Sequence, residues 1–502
     1  DKDTGSINVT NLKPGDTVTA YQFVKANYNE YGFTGYSAIN NYVKDPVAPT
    51  VQEVIDMASN AATMTVAAEK KVATGDTEVT LNGLPVGYYL VMVTSGSETV
   101  YSPMIAGIYY SKSATDNTLT NGAISADSDF EIKAQKCWAK SSTPKLEKTI
   151  VTPSSKNSKG DDIAIGDKTT FKLSATVPSY SKEYKKVTYK IYDIMSEGLD
   201  YVDGSMKCFI EKYENNRENI KVTPKVNGGI IEITFDSKFI LEHPGQKIQV
   251  EYQAKLNEKA GVNFDANINK AYLEYSNNPA SGSTAKTGED KVYVYTFGID
   301  SNLFGKSTEK WNEKTKELIK VEEGEYQWVE TEKESGIFTT TTALEGATFT
   351  LTNNKTKKSY TATSDKYGYL KFTGLDAGEY TLQETDAPDG FTLNDAKHTV
   401  VITAEYNQDG TLKSYTIKID DKATSTYTAT YDKGVIKTIT STKDSQGNIS
   451  ESAILKNSKM SFLPSTGGVG TTIFAIVGVV FVAVALGLHM ILRGKSKLEQ
   501  DR

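Results

Sequence analysis

Three histidines and two cysteines are the only imidazoles and thiols in a chain of 502 residues. His243 and His398 stand alone in their stretches and His489 lies inside an apolar run, so no Ser/His/Asp or Cys/His set emerges and neither a metal nor a cofactor is expected. Cys137 and Cys208 fall in separate stretches, and two thiols do not make a disulfide framework; both are expected to be free. A net charge of −7 gives nothing for nucleic-acid phosphates to bind. What remains is amine, carboxyl and carboxamide chemistry, plus one pentapeptide, Leu463-Pro464-Ser465-Thr466-Gly467.

The pentapeptide gains meaning from its neighbours. Ile473 to Leu492 is a run of twenty residues without Asp, Glu, Lys or Arg. As a helix rising about 1.5 Å per residue it spans about 30 Å, the thickness of a bilayer's hydrocarbon core. Arg493, Lys495, Lys497 and Arg502 follow, a basic flank that stays in the cytoplasm and leaves the preceding residues outside the cell. Export needs a leader, and none precedes Asp1, so the chain is expected to be the trimmed form.

Pentapeptide, apolar span and basic tail, in that order, resemble the cell-wall sorting signal of Gram-positive surface proteins. The resemblance implies that a membrane sortase cuts between Thr466 and Gly467 and joins the new carboxyl to an amine, the span holding the chain in the membrane only before sorting. Peptidoglycan is then a partner, and the location is the cell surface, secreted and wall-anchored.

The elements that must carry this signal are strands. Thirty tyrosines among many Thr and Val favour β structure, and the length suits about three domains plus the tail. Ser6–Val9 and Thr17–Tyr21 flank the turn Lys13-Pro14-Gly15-Asp16. One helix is predicted over Thr50–Ala62, with Val51, Val54, Ile55 and Ala58 at helical spacing. The phrase Gly83-Leu84-x-x-Gly87-x-Tyr89 returns as Gly374-Leu375-x-x-Gly378-x-Tyr380, an internal repeat of turn glycines leading into a half-buried strand. Further strands are predicted at 169–177, 187–192, 230–235 and 248–254, in the pattern of a β-sandwich, then at 293–299, with a hairpin around Glu322–Glu325. The organisation expected is residues 1–141, 142–291, 292–458 and a sorting tail 459–502.

Three phrases, Pro144–Ile150, Tyr192–Leu199 and Asn269–Asn277, resemble the second domain of sortase-assembled major (backbone) pilins of Gram-positive bacteria. The resemblance implies an all-β chain of tandem immunoglobulin-like, Cna-type sandwiches with a C-terminal transmembrane helix. It also implies a spontaneous isopeptide bond, with Lys148 as nucleophile, Asp193 as catalyst and Asn269 as acceptor. The residue types suit that reaction: burial lowers a lysine's pKa so that its amine can attack, and keeps a neighbouring carboxyl protonated so that it can polarise the carboxamide as ammonia leaves. Residues 380–391 resemble the glutamate-bearing E-box of pilins, which makes Glu384 the catalyst of a second bond with Asn457 as acceptor. Leu303 stands at the family position of its lysine, so that after a shift Lys306 or Lys320 serves instead, or the bond is missing. In the first domain the offset that gives Glu384 lands on Val93, so no bond is expected there by this route.

Pilins polymerise through a lysine between their first two domains. Lys140 occupies that place in Trp138-Ala139-Lys140, where the family phrase has Pro for Ala139, and Lys136 is the alternative. The function implied is the backbone subunit of a covalent adhesive pilus, joined Thr466 to Lys140. Its partners are a pilus sortase and a housekeeping sortase, further copies of itself, and accessory pilins. The chain is then a sortase substrate with single-turnover chemistry and not an enzyme. The rival reading is a wall-anchored monomeric adhesin that binds a host ligand.

Overall fold

The computed structural model describes residues 3–443 apart from 97, 112–122, 124–129, 152, 214–215, 300–317, 323–324, 330–339, 343–344, 366–369 and 421–422. Among the described residues no helix is long and apolar enough to cross a membrane. The run from Ile473 to Leu492, the pentapeptide, Lys306 and Asn457 lie outside them.

The chain is an all-β array of sheets. In its first part β1 (Thr4–Thr10) pairs antiparallel with β3 (Glu78–Pro85) and parallel with β6 (Cys137–Trp138). Facing them, β2 (Thr17–Asn29), β4 (Gly87–Thr94) and β5 (Met104–Ser111) form the larger sheet. Helix α1 (Val51–Ser59) begins at a reciprocal cap, in which Glu53 N donates to Thr50 Oγ1 at 3.2 Å and Thr50 N donates to Glu53 Oε2 at 2.8 Å. It buries Val54, Ile55, Met57 and Ala58 and is shorter than its periodicity suggested, closing at Asn60; Val51, in its first turn, faces solvent.

The second part is a sandwich whose two sheets divide the strands between them. In one, β8 (Lys168–Thr176) pairs with β7 (Leu146–Ile150) and with β11 (Lys247–Leu256). In the other, β9 (Tyr189–Met195) pairs with β10 (Ile230–Thr234) and β12 (Asn267–Asn278), and β12 with β13 (Asp290–Tyr295). Strict alternation on β9, buried at Tyr189, Ile191, Asp193 and Met195, drives one face of that sheet into the core.

The strand expected over 293–299 is divided. Its first half belongs to β13 in the second sandwich, and the chain passes at Thr296 into β14 (Phe297–Ile299), which pairs with β16 (Phe372–Leu375). The third part is completed by β15 (Thr348–Asn353), β17 (Gly378–Asp386), β18 (Lys397–Tyr406), β19 (Leu412–Ile419), β20 (Ala423–Asp432) and β21 (Val435–Lys443). These six share one sheet, in the order given. Leu318–Glu322 pairs with Glu325–Val329, the hairpin expected there.

Both copies of the repeat perform one task. The glycine lies near the end of the strand beside the domain's first strand, and the tyrosine of the next strand turns its hydroxyl back to a carbonyl four residues upstream. Tyr89 Oη donates to Pro85 O at 2.5 Å and Tyr380 Oη to Asp376 O at 2.8 Å.

Candidate functional site

Strand parity brings the expected trio together. Lys148 lies on β7 of one sheet, Asp193 and Asn269 on the neighbouring strands β9 and β12 of the other, and all three side chains are fully buried. Asn269 stands opposite Met195 and Asp193 opposite Ala271, so the carboxyl and carboxamide project from adjacent strands into the space that the lysine enters from across the sandwich.

The Lys148 amine meets the Asp193 carboxylate directly and donates to Tyr252 Oη at 3.1 Å. Phe171 and Tyr252 close over it, their ring centres 5.1 and 5.3 Å from Nζ. Tyr252 Oη donates to Asp193 Oδ1 at 2.7 Å and accepts from Asn269 Nδ2 at 2.7 Å. Burial pushes the lysine below its ordinary range, against the pull of Asp193, and holds the tyrosine well above its own. The backbone is fixed too: Lys148 N donates to Asp290 Oδ2 at 2.6 Å, and Lys159 Nζ donates to Lys148 O and to Asp290 Oδ2, each at 2.6 Å.

Two inward asparagines on β12 contrast sharply. Asn267 is satisfied, its Oδ1 accepting from Gly261 N at 2.9 Å and its Nδ2 donating to Gly261 O and Val294 O. Asn269 Oδ1, two residues on, is buried with no hydrogen-bond partner among the described residues. An ion pair sealed in a core costs several kcal/mol per ion before attraction offsets it, and an orphaned carbonyl adds about 1 to 3 kcal/mol. Such an arrangement is a poor stabiliser as it stands. Chemically it is an amine, an acid and a carboxamide held out of water, the reagents of an acyl transfer that would release ammonia.

Tyr252 and Phe171 went unremarked in the sequence. Their signal is parity alone: Val250, Tyr252 and Ala254 alternate inward along β11, and Phe171 stands opposite Tyr252 on β8. Among so many tyrosines, parity does not single one out.

In the third part Glu384 is buried on β17, in step with inward Tyr380 and Leu382, and its Oε2 accepts from Asn394 N at 2.8 Å. Its proposed partners Lys306 and Asn457 lie outside the described residues; the backbone of Lys320 pairs with Tyr326. Val93 occupies the corresponding buried position on β4, opposite Val18.

Lys140 is exposed between β6 and the short strand Ser141–Ser142, which pairs with Val100–Tyr101. Ala139, where the pilin phrase it resembles has proline, is buried, and its N–H donates to Thr10 O at 3.0 Å, a bond that proline could not make. Lys136 is exposed as well. Cys137 and Cys208 are buried free thiols, pushed up by burial to about 11 and about 12, which leaves them unreactive at neutral pH.

Comparisons with known proteins agree in class. A T6 antigen Ig-like domain matches residues 2–141, a prealbumin-like fold domain matches 327–416, and an LPXTG cell wall anchor motif matches 456–497. The chain is a cell-wall-anchored surface protein of tandem Ig-like and prealbumin-like domains. Over nearly its whole length it resembles the trypsin-resistant surface T6 protein of Streptococcus pyogenes serotype M6, at 26% identity over 98% of this chain and 96% of that protein. The T6 backbone pilin of the same serotype shares its fold, with a TM-score of 0.61 at 20% identity, covering 92% of this chain and 99% of that one. The major pilin SpaD of Corynebacterium diphtheriae aligns over 78% of this chain and 89% of its own, at 18% identity and a TM-score of 0.46.

Proposed function

We propose that this chain is the backbone subunit of a covalent surface pilus. A sortase joins Thr466 of one subunit to Lys140 of the next, and the finished polymer is anchored to the wall and mediates adhesion. Inside each subunit Lys148 and Asn269 close an isopeptide bond with Asp193 as catalyst, and Glu384 serves a second bond in the third domain with Asn457 and Lys306. The chain is a structural protein and sortase substrate; its own chemistry runs once per molecule. Accessory pilins, a pilus sortase and a housekeeping sortase are its partners.

The observation that carries this reading is the sealed Lys148, Asp193 and Asn269 cluster, which spans both sheets of the sandwich. A bond from β7 to β12 would tie a first strand to a late one and carry tension past the hydrogen-bond ladders. Resemblance to the T6 surface protein along 98% of the chain, together with the anchor motif, supports the same reading. Expressed in a sortase-competent Gram-positive host, the chain is expected to give a ladder of SDS-resistant bands that Lys140→Ala abolishes and Lys136→Ala leaves intact. A single unchanged band in both would favour the monomeric adhesin.

A further inference from the structure

Tyr252 stands at the centre of the buried cluster. Among the described residues its hydroxyl is the one group placed against all three reagents: it takes hydrogen bonds from Lys148 Nζ at 3.1 Å and Asn269 Nδ2 at 2.7 Å, and gives one to Asp193 Oδ1 at 2.7 Å. Those two nitrogens are the attacking and the departing atoms of the isopeptide reaction. We propose that Tyr252 is a catalytic residue, its phenol carrying the proton from the attacking nitrogen to the leaving one. This rests on the isopeptide reading of the cluster.

The proton account closes. Lys148 starts as ammonium and Asp193 as carboxylate, in direct contact. One proton passes from Nζ to Asp193, freeing the amine's electron pair and leaving the acid neutral. Nζ then attacks Asn269 Cγ, whose carbonyl electrons move onto Oδ1, and Nζ becomes positive. Tyr252 accepts a proton from Nζ as it gives its own to Nδ2. The electron pair on Oδ1 re-forms the carbonyl, the Cγ–Nδ2 bond breaks and ammonia departs. An amide, one ammonia, a neutral Asp193 and an unchanged phenol remain. Once it holds the lysine's proton, Asp193 draws the phenol's hydrogen less strongly than a carboxylate does, and the hydroxyl can turn to Nδ2. A phenol raised in pKa by burial acts as such a relay without ever becoming phenolate. The orientation of Asn269 fits this path, since its nitrogen already faces the hydroxyl and its carbonyl oxygen has no competing donor among the described residues.

The test is Tyr252→Phe in the full chain, which keeps the ring over Nζ and removes the hydroxyl with its three hydrogen bonds. After a short pulse of synthesis in a host without sortase, the Lys148–Asn269 crosslinked peptide is quantified by mass spectrometry over time, with circular dichroism and protease resistance monitoring the fold. Wild type is expected to crosslink promptly, and Tyr252→Phe to fold yet crosslink about 100-fold more slowly, the size of one general acid–base contribution. Crosslinking of Tyr252→Phe at the wild-type rate overturns the relay and leaves the isopeptide reading standing. Absence of the crosslinked peptide from wild type overturns the isopeptide reading itself. Should Tyr252→Phe misfold, Phe171→Leu serves as comparison: it disturbs the same packing but keeps the hydroxyl, and equal slowing in the two variants would assign the effect to packing and overturn the relay.

Discussion

At the scale of single residues, Lys148 is a demanding group, a fully buried amine held between a carboxylate and two rings. If the bond forms, intact mass falls by about 17 Da for that site, the mass of the ammonia lost in the acid–base chemistry above. Lys148→Ala, Asp193→Ala and Asn269→Ala are each expected to abolish the loss, and a retained deficit in all three would remove the cluster from consideration. Closing a loop on the order of 100 residues contributes about 5 kcal/mol by chain entropy, so the second domain of Asn269→Ala is expected to unfold at markedly lower denaturant. That variant also reveals the lysine's linkage. Its folded-state pKa lies below the unfolded value, so the unfolded chain binds more protons in the window between them and stability rises as pH climbs through that window. Chemical denaturation of Asn269→Ala from pH 7 to 10, compared with Lys148→Met, Asn269→Ala, isolates the effect.

At the scale of elements, the repeated glycine phrase gives a matched experiment. Gly83 and Gly374 share the left-handed conformation, with φ of +71° and +76°. A Cβ on Gly83 meets nothing within 4 Å, whereas on Gly374 it would lie 2.8 Å from Ile165 Cδ1, on a segment of the second part. Gly83→Ala is expected to cost about 1 kcal/mol from backbone strain alone. Gly374→Ala is expected to cost about 1 to 3 kcal/mol more, because it adds a clash where two parts of the chain pack. Thermal or urea unfolding of the two variants checks this, and equal losses would mean that the Ile165 contact gives way freely.

At the scale of the whole molecule, the junction between the second and third parts turns on Asp162, a buried carboxyl that accepts from Tyr406 Oη at 2.6 Å and Ala377 N at 2.5 Å. Burial raises it to about 6, against those two hydrogen bonds and with help from the negative charges of Asp161 and Asp376. The folded chain therefore binds the proton more tightly than the unfolded one. Stability from this group is fully present below about pH 4 and is lost as pH rises to about 6, a change of about 3 kcal/mol. Other carboxylates slope the opposite way, so the difference between wild type and Asp162→Asn is the quantity to follow. It is expected to fall across that window in thermal unfolding and to be level above pH 7; a flat difference throughout would show that the carboxyl ionises as it does in water.

Much of this was readable in the residues. Alternation announced the strands, because period-two burial on β9 and β17 follows directly from the pleat, and the helical spacing of Val54, Ile55 and Ala58 announced α1, whereas its cap through Glu53 was found only in the structure. The order of pentapeptide, apolar run and basic tail marked the anchor, a signal read along the chain and needing no fold. Lys148, Asp193 and Asn269 could be named through likeness to a family, but not the distances among them, since they come from strands far apart in sequence. Local pattern also carried one strand across Thr296, where tertiary pairing splits it between two sheets. Tyr252 and Asp162 were invisible for the same reason: what distinguishes each from its many chemical twins is what packs against it from elsewhere in the chain, and only the tertiary structure decides that.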